Sequence, residues 1–352
     1  MPVDYIFNGM ASNQSIADKL LSVNFDVGAL RPWMGRDGHS YLTLNINGKP
    51  TVVRTNANAT LRKDEWIMFD AAILKAAQSR LRLVQDLRAA GLTFNIPNGM
   101  GKTVLEYEKQ SDINDATISM DGLRLGANDR PEYSLEALPL PIIHKDFSFS
   151  ARQIMASRNG GSPLDTTMGE LAGRKVAEMA EKLCMGTLDT YTYAGGTVMG
   201  MVNFSGKLLK TITSPAATAW TPATHLDEVL DMKGLSIAAK HFGPWVLYYS
   251  VAWEKYLDND FSSLYPNKTL RNRLREIDGI SDVRTLDYLE NYDVVMVEFD
   301  SQTIRLVIGM EVVTLQWDEV GGLLKNFKVM TIIVPQLRAD ISGNTGIVYG
   351  SV

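Results

Sequence analysis

The sequence predicts an α+β protein, and three features carry that expectation. A long two-faced helix near residues 165–185 follows an apolar strand and a basic, Gly-rich turn. A polar hairpin with no core of its own precedes that unit. After it, helices and strands alternate without the regular βαβ repeat of a doubly wound sheet.

At 352 residues, with 45% hydrophobic and 21% charged side chains, the chain is long enough for about two domains around a real core. Its formal net charge of −5 excludes a protein that coats nucleic acid over its whole surface, although a local basic patch stays open. The lone Cys184 excludes an internal disulfide framework and suits a reducing compartment. The first residues lack a basic start followed by an apolar run, and no stretch of about 18 apolar residues exists to span a bilayer. The sequons at Asn13, Asn58, Asn203 and Asn267 are therefore read as chance matches.

Residues 1–62 are rich in Asn, Gly and Thr and read as an extended arm that must lie on something else. Within them YLTLNINGKPTVVR predicts a hairpin turning at Asn47-Gly48. Asp64 reads as the N-cap of a helix running to Ala90, with Phe69, Ile73, Ala77, Leu81 and Val84 inward and Gly91 as its stop. The opposite face, Lys75, Arg80, Arg82 and Arg88, is expected to be solvated, with an acidic partner or nucleic acid as the other reading. Residues 104–138 read as a long polar hairpin. Arms of a dozen residues at about 3.3 Å each reach roughly 40 Å, which suits contact with another chain.

The long helix is expected from Asp165, with Met168, Leu171, Ala172, Val176, Met179, Ala180 and Leu183 on the core side. Glu170, Arg174, Glu178 and Lys182 stand four apart with alternating sign, a spacing that adds a few tenths of a kcal/mol per pair. Gly169 and Gly173, each about 1 kcal/mol worse than Ala in a helix interior, point to a backbone passing close by. Further on, Thr224 with Asp227 suggests a capped helix ending at Gly243-Pro244. WVLYYS reads as a buried strand before a short helix around Trp253. VVMVEF and TIRLVIG are expected to pair across Asp300-Ser301-Gln302, and NFKVMTIIVPQL closes the chain as a strand. No internal repeat is visible.

Catalytic patterns fail one by one. Asn98 to Thr103 ends like a phosphate loop, but Ile96 stands where the first Gly belongs and no helix follows. His39, His144, His225 and His241 have no metal-ligand spacing, and Cys184 sits among apolar neighbours. No nucleophile elbow occurs. No cofactor, metal or catalytic residue is assigned.

Leu138 to Leu183, with LPLPIIHKDFSFSARQ, SPLDTT and RKVAE in order, closely resembles the centre of the Hong Kong 97-type capsid fold shared by tailed-phage major capsid proteins and encapsulin shells. MGMVNF at Met199–Phe204 and the closing NFKVMTIIVP extend the likeness over about residues 64–350. The segment SVNFDVGALRPWMGRDGHSYLT looks like the start of one group of phage capsid proteins, which tilts the reading from encapsulin towards phage. The resemblance implies an N-terminal arm (1–62), a first part of the P-domain (63–103), an E-loop (104–138), the P-domain with its spine helix (139–224), an A-domain (225–325) and a return strand (326–352). It also implies intersubunit contacts at the E-loop tip (Asp121, Arg124, Arg130) and on the arm (Arg31, Trp33, Arg36), and places Gly169, Glu170, Gly173, Arg174 and Glu178 on the spine. Implied partners are copies of the chain in hexamers and pentamers, a separate scaffolding protein, a portal and a decoration protein. The shell would enclose double-stranded DNA in a virion made in a bacterial cytoplasm, with no membrane and no cleavage of the N-terminus. The tip, Thr117–Arg130, contains no Lys, so the Lys–Asn weld of some relatives is not expected. An encapsulin-like compartment and a soluble enzyme with a fold-assembled site remain the alternatives.

Overall fold

The computed structural model describes residues 31–46, 49–55, 61–78, 82–111, 130–159, 166–188, 190–262, 265–341 and 343–352, with Ile113, Ala116, Ile118 and Met120 as isolated positions. The chain is α+β, as expected. The hairpin turn at Asn47-Gly48, the helix start at Asp165 and the tip residues Asp121 and Arg124 lie outside the described residues.

β1 (Trp33–Met34), β2 (Ser40–Ile46), β3 (Lys49–Thr55) and β4 (Leu61–Arg62) form a sheet in the order β3-β2-β1-β4. The arm segment from residue 31 onward is thus folded onto its own chain, because β4 leads straight into α1 (Lys63–Gln78). The Glu65 carboxylate reaches back to accept from the Arg62 N–H at 2.7 Å, satisfying a donor the helix leaves orphaned. Asp64, expected as the cap, lies inside the first turn instead. α2 (Arg82–Ala89) follows, and Gly91, with φ +74°, closes it. The single helix expected over 64–90 is two described segments. Two members of the basic face are tied within the chain: Arg88 donates twice to Glu311, at 3.0 and 2.8 Å, and Arg82 donates to the Thr285 carbonyl, while Lys75 is exposed, and Arg80 and Leu81 lie outside the described residues.

The chain continues through β5 (Thr93–Asn95), β6 (Val104–Gln110), β7 (Tyr133–Pro139), β8 (Ile143–Ser150), α3 (Ala151–Asn159) and the spine helix α4 (Thr167–Met185). Next come β9 (Tyr191–Tyr193), β10 (Gly196–Val198), β11 (Leu208–Thr211), α5 (Pro222–Ala238), β12 (Trp245–Ser250) and α6 (Glu254–Leu257). The remainder is β13 (Asp260–Ser262), β14 (Tyr265–Thr269), α7 (Leu270–Arg275), β15 (Ile280–Leu286), β16 (Val294–Glu298), β17 (Ile304–Glu319), β18 (Leu324–Leu337) and β19 (Ile347–Ser351). α5 starts a turn before the expected Thr224: Thr221 is its N-cap, accepting from the Thr224 N–H at 3.1 Å, and Pro222 occupies the first helical position.

Two sheets organise these elements. The first, β5-β17-β18-β8, lays Phe147, Phe149 and Phe327 against Phe69 of α1, with the Phe147 and Phe327 rings stacked at 5.3 Å. In the second, β11-β19-β16-β12-β15, the central strands β12 and β16 are buried on both faces. Trp245, Leu247 and Tyr249 pack towards α5, whereas Val246 and Tyr248 join the main core. That two-sided burial is why WVLYYS is apolar without alternation. The expected pairing of VVMVEF with TIRLVIG does not form. Both edges of β16 are taken by β12 and β19, and β17 pairs with β18 and β5 in the other sheet. Strand pairing therefore divides the chain differently from the 225–325 and 326–352 boundaries: residues 304–337 belong with β8, and 347–351 return to the second sheet.

α4 buries Gly169, Ala172, Gly173, Val176, Ala177, Ala180 and Cys184 and ends at Gly186, whose φ is +82°. Val176 and Leu183 are buried as expected, but Met168, Leu171 and Met179, expected inward, face outward, because the buried stripe is centred on Gly169, Gly173, Val176 and Ala180 and these three fall on the other side of the helix. A Cβ on Gly169 would stand 2.6 Å from the Phe69 ring, and one on Gly173 would stand 2.9 Å from the Ile73 carbonyl oxygen. Val at position 173 should therefore cost about 1–3 kcal/mol, read as a lowered Tm. Gly234 lies in helix α5, where an added Cβ would meet nothing within 4 Å, so Gly234→Ala should raise stability by up to about 1 kcal/mol. Equal thermal shifts for the two variants would contradict this account of the glycines.

Candidate functional site

Groups that could carry chemistry are engaged in structure. His225 is buried, with Nε2 2.9 Å from the Tyr249 hydroxyl and Nδ1 3.2 Å from Glu228, and its ring lies 4.3 Å from that of Trp253. Burial pulls the imidazole below its ordinary pKa, against the pull of Glu228, so the neutral ring is favoured. His241 contacts Glu298, which also accepts from Thr303 Oγ1 at 2.8 Å and the Gly243 N–H at 2.9 Å. Burial pushes the Glu298 carboxyl up, but these donors together hold it below its usual value. This knot ties the segment after α5 to β16. Cys184 is fully buried and its thiol is pushed well up by burial, which leaves it unreactive. Among the described residues no group of three or more His, Cys, Asp or Glu side chains could hold a metal, and no helix is long and apolar enough to cross a membrane. The Asn98–Thr103 turn is a packing device: a Cβ on Gly99 would meet the Gly309 backbone at 2.3 Å.

What remains is surface. Arg31, expected to contact another subunit, is instead fully buried in its own chain. Its guanidinium pairs with Asp70 at 2.5 Å and lies 4.2 Å from the Trp66 ring centre. Trp33 stacks on Tyr41 with centroids 5.1 Å apart, and Arg36 is exposed beside it. On the spine, Glu170 accepts from Thr166 Oγ1 at 2.9 Å, and Glu178 bridges Arg174 at 3.5 Å and Lys175 at 2.8 Å. Lys182, expected in that ladder, lies over the Tyr288 ring. Gly169 and Gly173 are consumed by α1. Of the tip residues only Arg130 is described, and it is exposed.

The β6–β7 ribbon is two-faced. Leu105, Tyr107 and Lys109 turn inward, Tyr107 under Arg338 and Lys109 to Glu136 at 2.9 Å, while Glu106, Glu108, Tyr133 and Leu135 turn outward. Alternation in VLEYEKQ was the available signal.

Sequence reasoning also missed Glu181. Its carboxylate, buried in the spine helix, accepts from the Leu83 N–H at 2.6 Å and the Val84 N–H at 3.4 Å, capping α2 from another element. Burial, with some help from Asp86 and Asp287 and against the two N–H donors, raises its pKa from 4.5 to about 7. The only hint was a carboxylate between Ala177 and Cys184 on the apolar stripe.

Two stability predictions follow from these buried groups. Because the folded-state pKa of Glu181 lies above its unfolded value, its contribution is complete below about pH 4.5 and is lost as pH rises through about 7. Glu181→Gln should flatten that part of the Tm-against-pH curve, and an unchanged slope would count against it. Arg31→Ala should lower the stability of the isolated chain by about 3–5 kcal/mol by stranding Asp70. An effect on association with no change in monomer unfolding would contradict the intrachain assignment.

Similarity to known proteins adds to this geometry. A family model described as a family of unknown function, DUF6260, matches residues 56–350. The type 1 encapsulin shell protein EncA of Myxococcus xanthus (strain DK1622) is 22% identical over 200 residues, covering 55% of this chain and 63% of EncA. The chain thus matches less than two thirds of that relative's length. Among solved structures, the virus-like particle from Pyrococcus furiosus superposes with a TM-score of 0.57 at 15% identity, over 80% of this chain and 98% of that one. The capsid of Myoviridae phage XM1 gives 0.55 at 11% identity, over 76% and 90%, and a structure titled Microbacterium phage Oxtober96 gives 0.53 at 11%, over 75% and 90%. The fold is the Hong Kong 97 type.

Proposed function

Since the chain belongs to DUF6260, a family of unknown function, and has the Hong Kong 97-type fold, we propose that it is a shell subunit, the major capsid protein of a tailed double-stranded DNA bacteriophage. The observation that carries this reading is the combination of that fold with peripheral elements that bury little in their own chain. A two-stranded ribbon is marginal in water, so β6–β7 with its outward Tyr133 and Leu135 needs a neighbour. Copies would associate as hexamers and pentamers, with the ribbon and its tip at Asp121, Arg124 and Arg130 crossing an adjacent subunit. The second-sheet domain would surround the capsomer axis. Many modest contacts would add as avidity. The chain would act as structure, with no enzymatic step, and would join a virion in the bacterial cytoplasm with the help of scaffolding, portal and decoration proteins. A net charge of −5 would let DNA pack inside without adhering to the wall.

An encapsulin-like compartment is the second reading, favoured by the likeness to EncA and to the Pyrococcus particle. The arm sequence favours the phage. The contents of purified particles separate the two: nuclease-protected DNA supports the phage reading, and a co-purifying enzyme supports the compartment.

Purified protein should sediment as a discrete closed shell and run as one monomer band after boiling in denaturant. A stable monomer or dimer would overturn the shell reading, and a covalent ladder would overturn non-covalent assembly. Arg124→Glu with Arg130→Glu should impair assembly while leaving the subunit folded.

A further inference from the structure

Two cations beside β6 lack a counter-charge among the described residues. Arg305 lies on β17 and is the register partner of Gln336 on β18. The Arg338 N–H bonds to the Thr303 carbonyl at 2.9 Å, which carries the same strand pairing one residue past the end of β18. The two arginines are therefore diagonal neighbours, a backbone separation of roughly 7–8 Å that long side chains span. Neither forms an ion pair among the described residues. Burial and the charge of Arg338 pull the Arg305 guanidinium below the usual Arg value, against the opposite pull of Tyr107.

The groups around this pair are donors. The half-buried Arg305 lays its guanidinium 4.4 Å from the Phe94 ring centre and donates through Nε to Gln336 Oε1. Its two Nη groups have no acceptor among the described residues. Gln336 is fully buried, and its Nε2 has no hydrogen-bond partner. An orphaned buried donor is costly, so this one calls for an explanation. Arg338 donates through Nη1 to Gln302 at 3.4 Å and lies 5.8 Å from the Tyr107 ring centre. Burial and Glu136 push the Tyr107 hydroxyl up, while Arg338 and Arg305 both act on it in the other direction. Tyr107 and Arg338 line a cleft of about 300 Å³ that also carries Lys109 and Lys240. The nearby carboxylates are engaged: Asp340 accepts from the Asn344 N–H at 2.7 Å and from its side-chain amide at 2.6 Å, and Glu136 pairs with Lys109.

We propose that Arg305, Arg338 and the Tyr107 hydroxyl, with the Gln336 amide behind them, form a binding site for a doubly charged tetrahedral oxyanion: inorganic phosphate or a phosphomonoester. Two guanidiniums match two negative charges, and their planar N–H forks match oxygens in pairs. Water could accept from Gln336 Nε2 but would leave both cations uncompensated. A carboxylate or a phosphodiester brings a single charge and neutralises half of the pair. Gln336 acts as a positioning residue, since its Oε1 holds Arg305 by Nε and leaves both Nη groups for the ligand. The bound anion would join the inner face of β6 to β17 and the end of β18. The site goes beyond the shell reading and does not depend on it.

Calorimetric titration of the full chain at about pH 8, where phosphate is doubly charged, tests the site. Phosphate should bind saturably at one site per chain and raise the Tm above that in chloride of equal ionic strength. Acetate and dimethyl phosphate should bind at least about tenfold more weakly. Glycerol phosphate separates the two sources: tighter binding than phosphate names a monoester as the ligand, and weaker binding names the free ion. Arg305→Gln and Arg338→Gln should each weaken phosphate binding by about tenfold or more. Gln336→Glu places a carboxylate against Arg305 inside the chain, so it should keep or raise the Tm and abolish the response to phosphate. Absence of saturable binding to the wild type overturns the proposal, and so does acetate binding as tightly as phosphate. Wild-type phosphate affinity in either arginine variant also overturns it. Should an arginine variant not fold, Gln336→Glu decides: phosphate binding like the wild type's sinks the site. None of these outcomes bears on whether the chain sediments as a shell.

Discussion

The close approach of α1 to α4 at Gly169 and Gly173 fixes the relative position of nearly everything in the larger core. With no Cβ at those two positions, the Phe69 ring and the Ile73 backbone lie directly on the spine helix. Phe69 can then reach Phe147, Phe149 and Phe327 of the first sheet. The sheet, the spine and α1 thus share one aromatic layer, and the orientation of each depends on the other two. Long side chains cannot enter so narrow a gap. That is why α4 carries Gly at its two crossing positions with α1, whereas nearer its C-terminus it buries the larger Leu183 and Met185.

Two buried polar contacts extend this frame to elements the aromatic layer does not hold. Glu181 anchors α2 to the spine through its backbone N–H groups, and Arg31 anchors the N-terminal sheet to α1 through Asp70. Neither adds much net stability. A buried carboxylate without a cation loses its hydration, visible in its raised pKa, and a buried ion pair is roughly neutral against apolar packing. Their value lies in direction: each fits one partner at one position, whereas apolar contacts tolerate sliding.

Local patterns were readable in the sequence wherever one element decides its own structure. The α+β class, the spine helix and its two glycines, the β2–β3 pairing, the buried β12 and the β6–β7 hairpin all rest on period and turn chemistry. What failed depends on contacts remote in sequence. The partition of β16 and β17 between sheets turns on β19, about 50 residues away, already occupying the edge that a hairpin would need. The cap at Glu181 acts across 98 residues, and the buried fate of Arg31 depends on Asp70, 39 residues on. Composition describes residues 1–62 as a polar arm, yet Leu61 is buried where β4 packs on α1, and Thr43 is buried and accepts from the Trp33 indole N–H. Candidate surface residues were the least legible, since a solvated cation and a docking cation look alike until their neighbours are known.

The contrast between core and periphery bears on how a chain of this fold could fold alone and still offer surface for association. Its aromatic layer is complete within one chain, so folding does not wait for a partner. The ribbon is less complete: its outer face sets exposed Tyr133 and Leu135 beside Glu106 and Glu108, so apolar surface and like charge stand together there. Like charge opposes pairing of that face with its own copy, so association through it favours an unlike surface.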